Sequence, residues 1–277
     1  MSQPEQTRSD NDAKIKASVP AVEKALDVLE LLAETPGGLT MNEIVDALGR
    51  TMGEIYRVVV YLAERDYLRQ NPDTNRYGLT LKLFELSHRH EPTERLIRAG
   101  LPVLEGIAAR TNQSCHLGVL NRDNVLVLAS VQSPLPAGYS VRTGALFRAE
   151  NTSSGHVILA HSRREEQERH IDRCSPSERN HIQTRLARIR EDGFEDTAST
   201  MIVGVRNLCV PVFDARGVTA AITSGFIEQL GDSASPEVTL SIMRRAAAEL
   251  SRSLGFRGSP VPDTPRFPAE PRKEITK

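Results

Sequence analysis

Two short runs bring nucleophilic side chains next to a base. Cys115-His116 sets a thiol beside an imidazole. Neighbours on an extended segment point to opposite faces, which is the wrong geometry for a nucleophile–base pair. Thr152-Ser153-Ser154-Gly155-His156 sets two serines near a histidine, but the strained G-x-S-x-G elbow that exposes a catalytic serine is absent. The seven histidines follow no H-E-x-x-H spacing, and there is no glycine-rich phosphate loop. Cys115, Cys174 and Cys209 are odd in number, widely spaced and free of any C-x-x-C. The expectation is therefore a protein that is not an enzyme, uses no metal and no cofactor, and works in a reducing cytoplasm.

A third run supports recognition rather than catalysis. Arg50, Thr51, Met52, Gly53, Glu54, Tyr56 and Arg57 cluster at the start of a helix, and Arg69 and Arg76 follow in two short extended pieces. An arginine fork matches the edge of guanine or a phosphate, and a helix N-terminus attracts phosphate through its free amides. Tyr56 is either a phosphate donor or half-buried packing. Glu54 is either an acceptor for a cytosine amine or the N3 residue of a capping box begun by Thr51. The spacing favours the cap, and Thr51 carries the same ambiguity between cap and phosphate contact.

These residues need elements to hold them. Ala25, Leu26, Leu29, Leu32 and Ala33 recur at helical spacing, and Pro36-Gly37-Gly38 stops that helix. Thr40-Met41-Asn42-Glu43 has capping-box spacing before a second helix that ends at Gly49, and Thr51 opens a third with Ile55, Val58, Val59, Leu62 and Ala63 inward. Tyr67–Gln70 and Arg76–Leu79 flank the turn tract Asn71-Pro72-Asp73-Thr74-Asn75, which predicts a hairpin. Two capped helices across a tight turn, then a hairpin, describe a winged helix-turn-helix over 19–78. Residues 19–90 hold eight Lys/Arg against eleven Asp/Glu, a net of about −3. Such a domain binds DNA only if its cations are segregated, with Lys14 and Lys16 on the preceding arm helping and a second copy adding affinity.

The chain has 277 residues and a formal net charge of −1, enough for two domains with real cores and too neutral to coat nucleic acid by charge alone. It has no stretch apolar enough to span a membrane and no apolar secretory leader. Residues 1–18 read as a disordered arm and 257–277, with five prolines, as a disordered tail. Residues 79–111 read as a linker helical region. Over 112–256, apolar runs at 115–120, 125–130, 205–213 and 219–225 alternate with helices near 153–161, after Ser175-Pro176 and after Ser235-Pro236. That pattern predicts an α+β chain whose second domain mixes antiparallel strands with helices.

The stretches VEKALDVLELLAE, LTMNEIVDALGRTMGEIYRVVVYLAERDYL and RYGLTLKLFELS, then GALFRAENTSSGHVILA, DGFEDTASTMIVGVRNLCVPVFD and AAITSG, resemble the IclR family of bacterial transcription regulators over about 19–256. The resemblance implies an N-terminal winged helix-turn-helix, a linker helix and a C-terminal GAF-like effector-binding domain. It also implies a homodimer or homotetramer on a palindromic double-stranded DNA operator, and control by a small organic acid, a carboxylic acid whose body Tyr139 and Phe147 at wall positions suggest is apolar or aromatic. It places the effector among Tyr139, Phe147, Ser153, Ser154, Thr197, Asn207, Thr223 and Gly225. At Thr197, Asn207 and Thr223 all three side chains are neutral, where family members often carry an acid, a cysteine and a serine. Arg148 and Glu150 replace a usual proline and histidine and are expected to pair on the surface. The rival reading keeps the fold but gives the winged helix a protein or RNA partner.

Overall fold

The computed structural model describes residues 19–89, 91–229 and 234–258. The arm and nearly all of the tail lie outside these, as do Lys14 and Lys16. The chain divides after Glu91 into two compact units.

In the first unit, helices α1 (Pro20–Ala33), α2 (Met41–Leu48) and α3 (Met52–Glu64) precede strands β1 (Leu68–Gln70) and β2 (Tyr77–Leu79) and helix α4 (Lys82–His88). Helical periodicity turns Val28, Leu32, Ile44, Ile55, Val59 and Leu62 into one core, closed by Leu68 and Tyr77 of the hairpin. Each such aliphatic side chain contributes about 1.5–3 kcal/mol on burial. Capping sets where the helices begin. Thr40 Oγ1 accepts from the Glu43 amide at 3.4 Å, and Glu43 Oε2 accepts from the Thr40 amide at 2.8 Å. The β1–β2 hairpin is antiparallel with Arg69 opposite Gly78, and Leu39 adds a bridge to Tyr77.

The second unit begins with helix α5 (Glu91–Thr111). The sequence treats 79–111 as one linker, but the structure divides it. Leu96, Leu104, Ile107 and Ala108 of α5 belong to the second unit's core, whereas Leu79 and α4 belong to the first. Six strands follow: β3 (Cys115–Asn121), β4 (Asn124–Val131), β5 (Leu146–Arg148), β6 (Glu195–Ala198), β7 (Val205–Asp214) and β8 (Gly217–Ile227). They form one sheet in the order β5-β4-β3-β8-β7-β6, antiparallel at every pairing.

Alternation along the strands gives the sheet two dry faces. Leu117, Leu208, Val210, Val212 and Ile222 pack with α5 and with α9 (Pro236–Ser253). Val125, Cys209 and Ala221 pack with α6 (Ser153–His161), α7 (Arg164–Ile171) and α8 (Pro176–Asp192). Ser175 and Ser235 stand at N-caps with proline at the first helical position, as their spacing predicts. Among the described residues no helix is long and apolar enough to cross a membrane.

Candidate nucleic-acid interface and effector cavity

Helix α3 presents an open face. Thr51, Met52, Gly53, Tyr56 and Arg57 are exposed, while Ile55, Val59 and Leu62 point inward. Gly53, Arg57 and Tyr61 lie at i, i+4 and i+8 and so share one stripe. Tyr61 is exposed as well, and Arg65 donates to its hydroxyl at 3.3 Å. Tyr61 was absent from the sequence expectations, although the i+4 step from Arg57 identifies it. Arg57 and Arg69 have no ion-pair partner among the described residues and face solvent.

Other members of the set are held inside the unit. Glu54 Oε2 accepts from the Thr51 amide at 3.0 Å and its hydroxyl at 2.8 Å, and Glu54 Oε1 stands 2.9 Å from Lys24 Nζ. The Lys24 ammonium and the Thr51 donors hold the Glu54 carboxyl down to about 2. Both oxygens are thus occupied, and the capping geometry replaces the cytosine-acceptor alternative. Arg50 lies 3.5 Å from Asp27, a loose surface pair.

Arg76 corrects an expectation. Its guanidinium donates to the Gly38 carbonyl at 2.8 Å and to Glu43 Oε1 at 2.9 Å, so it clamps the hairpin to the start of α2 instead of standing free for phosphate. Among the described residues of the first unit, the cations without a protein partner include Arg57 on the α3 face and Arg69 on strand β1, with Arg89 after α4. Asp27, Glu43 and Glu54 are paired with Arg50, Arg76 and Lys24, which leaves the unit's net negative charge unchanged.

In the second unit a cleft opens on the α6 side of the sheet. Its walls are Val125, Val127, Tyr139, Val141, Phe147 and Met201, and its polar groups are His116, Thr152, Ser153, Ser154, Ser199, Asn207 and Thr223, with Gly225 beneath. Seven of the eight expected effector residues meet here. Thr197 does not. It pairs with Asn207 across the sheet, but β6 is the outermost strand, and Thr197 lines a neighbouring polar cleft with Arg185, Arg188 and Arg206.

His116, Met201 and Ser199 are additions. Strand alternation, which separates His116 from Cys115, already put the imidazole on this face, whereas the loop residues carry no periodic signal. His116 has no hydrogen-bond partner among the described residues, and burial lowers its pKa to about 4, so the ring is neutral at pH 7.

Local structure fixes the polar end of the cleft. Thr152 Oγ1 accepts from the Gly155 amide at 3.1 Å and starts α6, leaving the first-turn amides of Ser153 and Ser154, two residues that line the cleft, without intrahelical acceptors. A methyl at Gly155 would lie 2.0 Å from the Ala149 carbonyl oxygen, so only glycine lets α6 begin this close to the preceding turn. Ser154 Oγ and Thr223 Oγ1 are 2.7 Å apart, and Thr223 Oγ1 donates to Cys209 Sγ at 2.9 Å. With that proton directed to sulfur, the remaining hydrogen bond runs from the Ser154 hydroxyl to Thr223.

Burial pushes the Cys209 thiol upward and the Cys115 thiol up to about 12, so neither is a thiolate. Beneath α6, Arg185 Nε donates to Glu195 Oε1 at 2.5 Å, and His156 Nδ1 stands 3.5 Å from Glu195 Oε2. Burial drives the Glu195 carboxyl up, but His156 and Arg185 outweigh it and leave the pKa lowered. Arg148 and Glu150 pair at 2.8 Å at the rim.

A winged helix with an open arginine-bearing face, carried on one chain with a second domain that holds a cleft of mixed polar and apolar lining, defines a ligand-responsive DNA-binding transcriptional regulator. Residues 21–72 match the IclR helix-turn-helix domain and 93–252 the bacterial transcriptional regulator IclR C-terminal domain. The chain belongs to the IclR family: a DNA-binding transcriptional regulator with a C-terminal effector-binding domain. It is 25% identical over 252 residues to the HTH-type transcriptional regulator KdgR of Escherichia coli (strain K12), covering 88% of this chain and 95% of that one. It is 27% identical over 247 residues to the glycerol operon regulatory protein of Streptomyces griseus, covering 86% and 97%. Its fold is similar to an IclR homolog from Microbacterium hydrocarbonoxydans complexed with 4-hydroxybenzoate, at a TM-score of 0.73 and 21% identity over 84% of this chain and 98% of that one.

Proposed function

We propose that α3 reads the major groove of a palindromic operator, with Arg57, Gly53, Met52 and Tyr56 toward bases, Thr51, Arg50 and Arg69 toward phosphates, and two copies of the chain supplying the two half-sites. The supporting observation is the unpaired Arg57 on the open face of α3. Each copy offers few free cations, so the operator complex depends on a homodimer or homotetramer. Its place of action is the cytoplasm, with the DNA. The chemistry of the site is recognition, and the protein is not an enzyme.

The effector is a small carboxylic acid that binds in the cleft lined by Tyr139, Phe147, Ser153, Ser154, Asn207, Thr223 and Gly225, with His116 as an added neutral contact. The α6 amides take the carboxylate, as helix N-termini do. The apolar walls take the body of the ligand. Effector occupancy shifts the balance between DNA-competent and DNA-incompetent states through differential affinity. Binding to intergenic DNA beside its own gene, at two salt concentrations, tests the first reading. Sequence-selective binding that weakens with salt is expected, and affinity equal to that for scrambled DNA would refute it.

A further inference from the structure

The effector cleft holds a cavity of only about 40 Å³, room for a water or two and not for an organic acid of six or more carbons. One of its own side chains takes up the missing space. A methyl placed on Gly225 would stand 2.5 Å from Tyr139 Cδ1 and 2.8 Å from Cε1, so the Tyr139 ring lies directly on the Gly225 backbone. Glycine is required there to admit the ring edge against the sheet. Among the described residues, the Tyr139 hydroxyl has no hydrogen-bond partner. Tyr139 sits between β4 and β5 in a segment with neither helix nor strand from 132 to 145. A few side-chain bonds pin this segment, from Ser114 to the Tyr139 carbonyl, Ser133 to Asn112 and Gln229 to Ala137.

We infer that the Tyr139 ring is an internal occupant of an aromatic subsite, and that the effector is an aromatic carboxylate whose ring replaces it on Gly225. The inference rests on the reading of this cleft as the effector site. The ring shows which shape the subsite accepts: planar, with one edge set against the glycine. A carboxylate on the incoming ring supplies the anchor that the phenol lacks, at the first-turn amides of α6. Displacing the side chain lowers apparent affinity by the fraction of protein with the subsite vacated. Leaving the subsite frees the 132–145 segment to move, and that gives the ligand a structural consequence.

The chain contains no tryptophan and five tyrosines, and the other four (Tyr56, Tyr61, Tyr67 and Tyr77) lie in the first unit. Full-length protein labelled with 3-fluorotyrosine therefore gives five fluorine resonances, with residue 139 assigned by its loss in Tyr139→Phe. Benzoate is titrated, with affinity read by calorimetry, and cyclohexanecarboxylate and short aliphatic acids serve as controls. Benzoate is expected to move the residue-139 resonance toward that of a solvent-exposed tyrosine. Tyr139→Leu, which keeps an apolar filler, should bind benzoate about tenfold more tightly. Gly225→Ala should move the same resonance with no ligand present.

Benzoate binding with an unmoved resonance, or weaker binding by Tyr139→Leu, would make the ring a fixed wall and overturn the inference while the cleft remains the effector site. Binding of aliphatic acids but not benzoate would have the same meaning. Binding of no acid by either protein would overturn both.

Discussion

Acidification should weaken the second unit through two half-buried histidines that stay neutral in the folded state. Both His116 and His161 are lowered by burial from 6.5 to about 4, and His161 Nε2 is buried with no hydrogen-bond partner. In the unfolded chain each ring takes a proton as pH falls through about 6.5, whereas in the folded state it resists until about 4. Stability is therefore full at neutral pH and drains away across that window. By linkage, each ring costs at most about 2 kcal/mol at pH 5, so the pair costs at most about 4 kcal/mol. That is a large part of the roughly 5–15 kcal/mol available to a domain.

Glu195 does not contribute at pH 5. Its folded pKa is lowered, so its stabilising share is lost only as pH falls below its unfolded value of about 4.5. Urea unfolding of the full chain at pH 7 and pH 5, followed by circular dichroism, reads the difference. His116→Asn and His161→Asn, each neutral throughout, should each remove about half of the pH dependence. Equal pH dependence in the wild type and both variants would refute the reasoning and show that these rings are solvated.

Arg57→Ala should weaken operator binding by about 1–3 kcal/mol in a fluorescence anisotropy titration, with oligomeric state unchanged by sedimentation. Arg76→Ala, by contrast, should cost up to about 1 kcal/mol of stability in the first unit and leave the salt slope of DNA binding alone, because its donors are engaged by Gly38 and Glu43. Gly155→Ala forces a methyl against the Ala149 carbonyl and should cost at least about 3 kcal/mol, seen as a melting point lower by about 6–12 °C. Thr223→Val keeps the shape but removes the hydroxyl between Ser154 and Cys209, with an expected loss of about 1–2 kcal/mol in urea unfolding.

Helix starts and strand pairings were legible because local chemistry dictates them. Thr40, Thr51, Ser175 and Ser235 announce caps through side chains that can reach amides three residues on, and the turn tracts at 121–124 and 214–217 sit between apolar runs that pair as expected. The division of 79–111 was not legible, since helical periodicity does not say which core a face will join. The same limit explains Arg76 and Thr197. Arg76 meets Glu43, 33 residues away, and Thr197 lies on an outer strand whose place in the sheet depends on pairing with β7. Loop residues such as Met201 and Ser199 reach the cleft with no repeating pattern to reveal them. Tyr139 was placed at the site by resemblance alone. Its position on Gly225 became visible only with the backbone in hand.

One carboxylate joins two parts of the first unit. Glu43 caps α2 through Thr40 and also receives Arg76 from the wing, so helix onset and hairpin share a single tether. This tether acts together with the packing of Leu68 and Tyr77 on the helical core, and the two hold strand and helix near one angle. The unit should meet DNA as a stiff template, with misfit at a poor site taken up by bending of the duplex rather than by the protein.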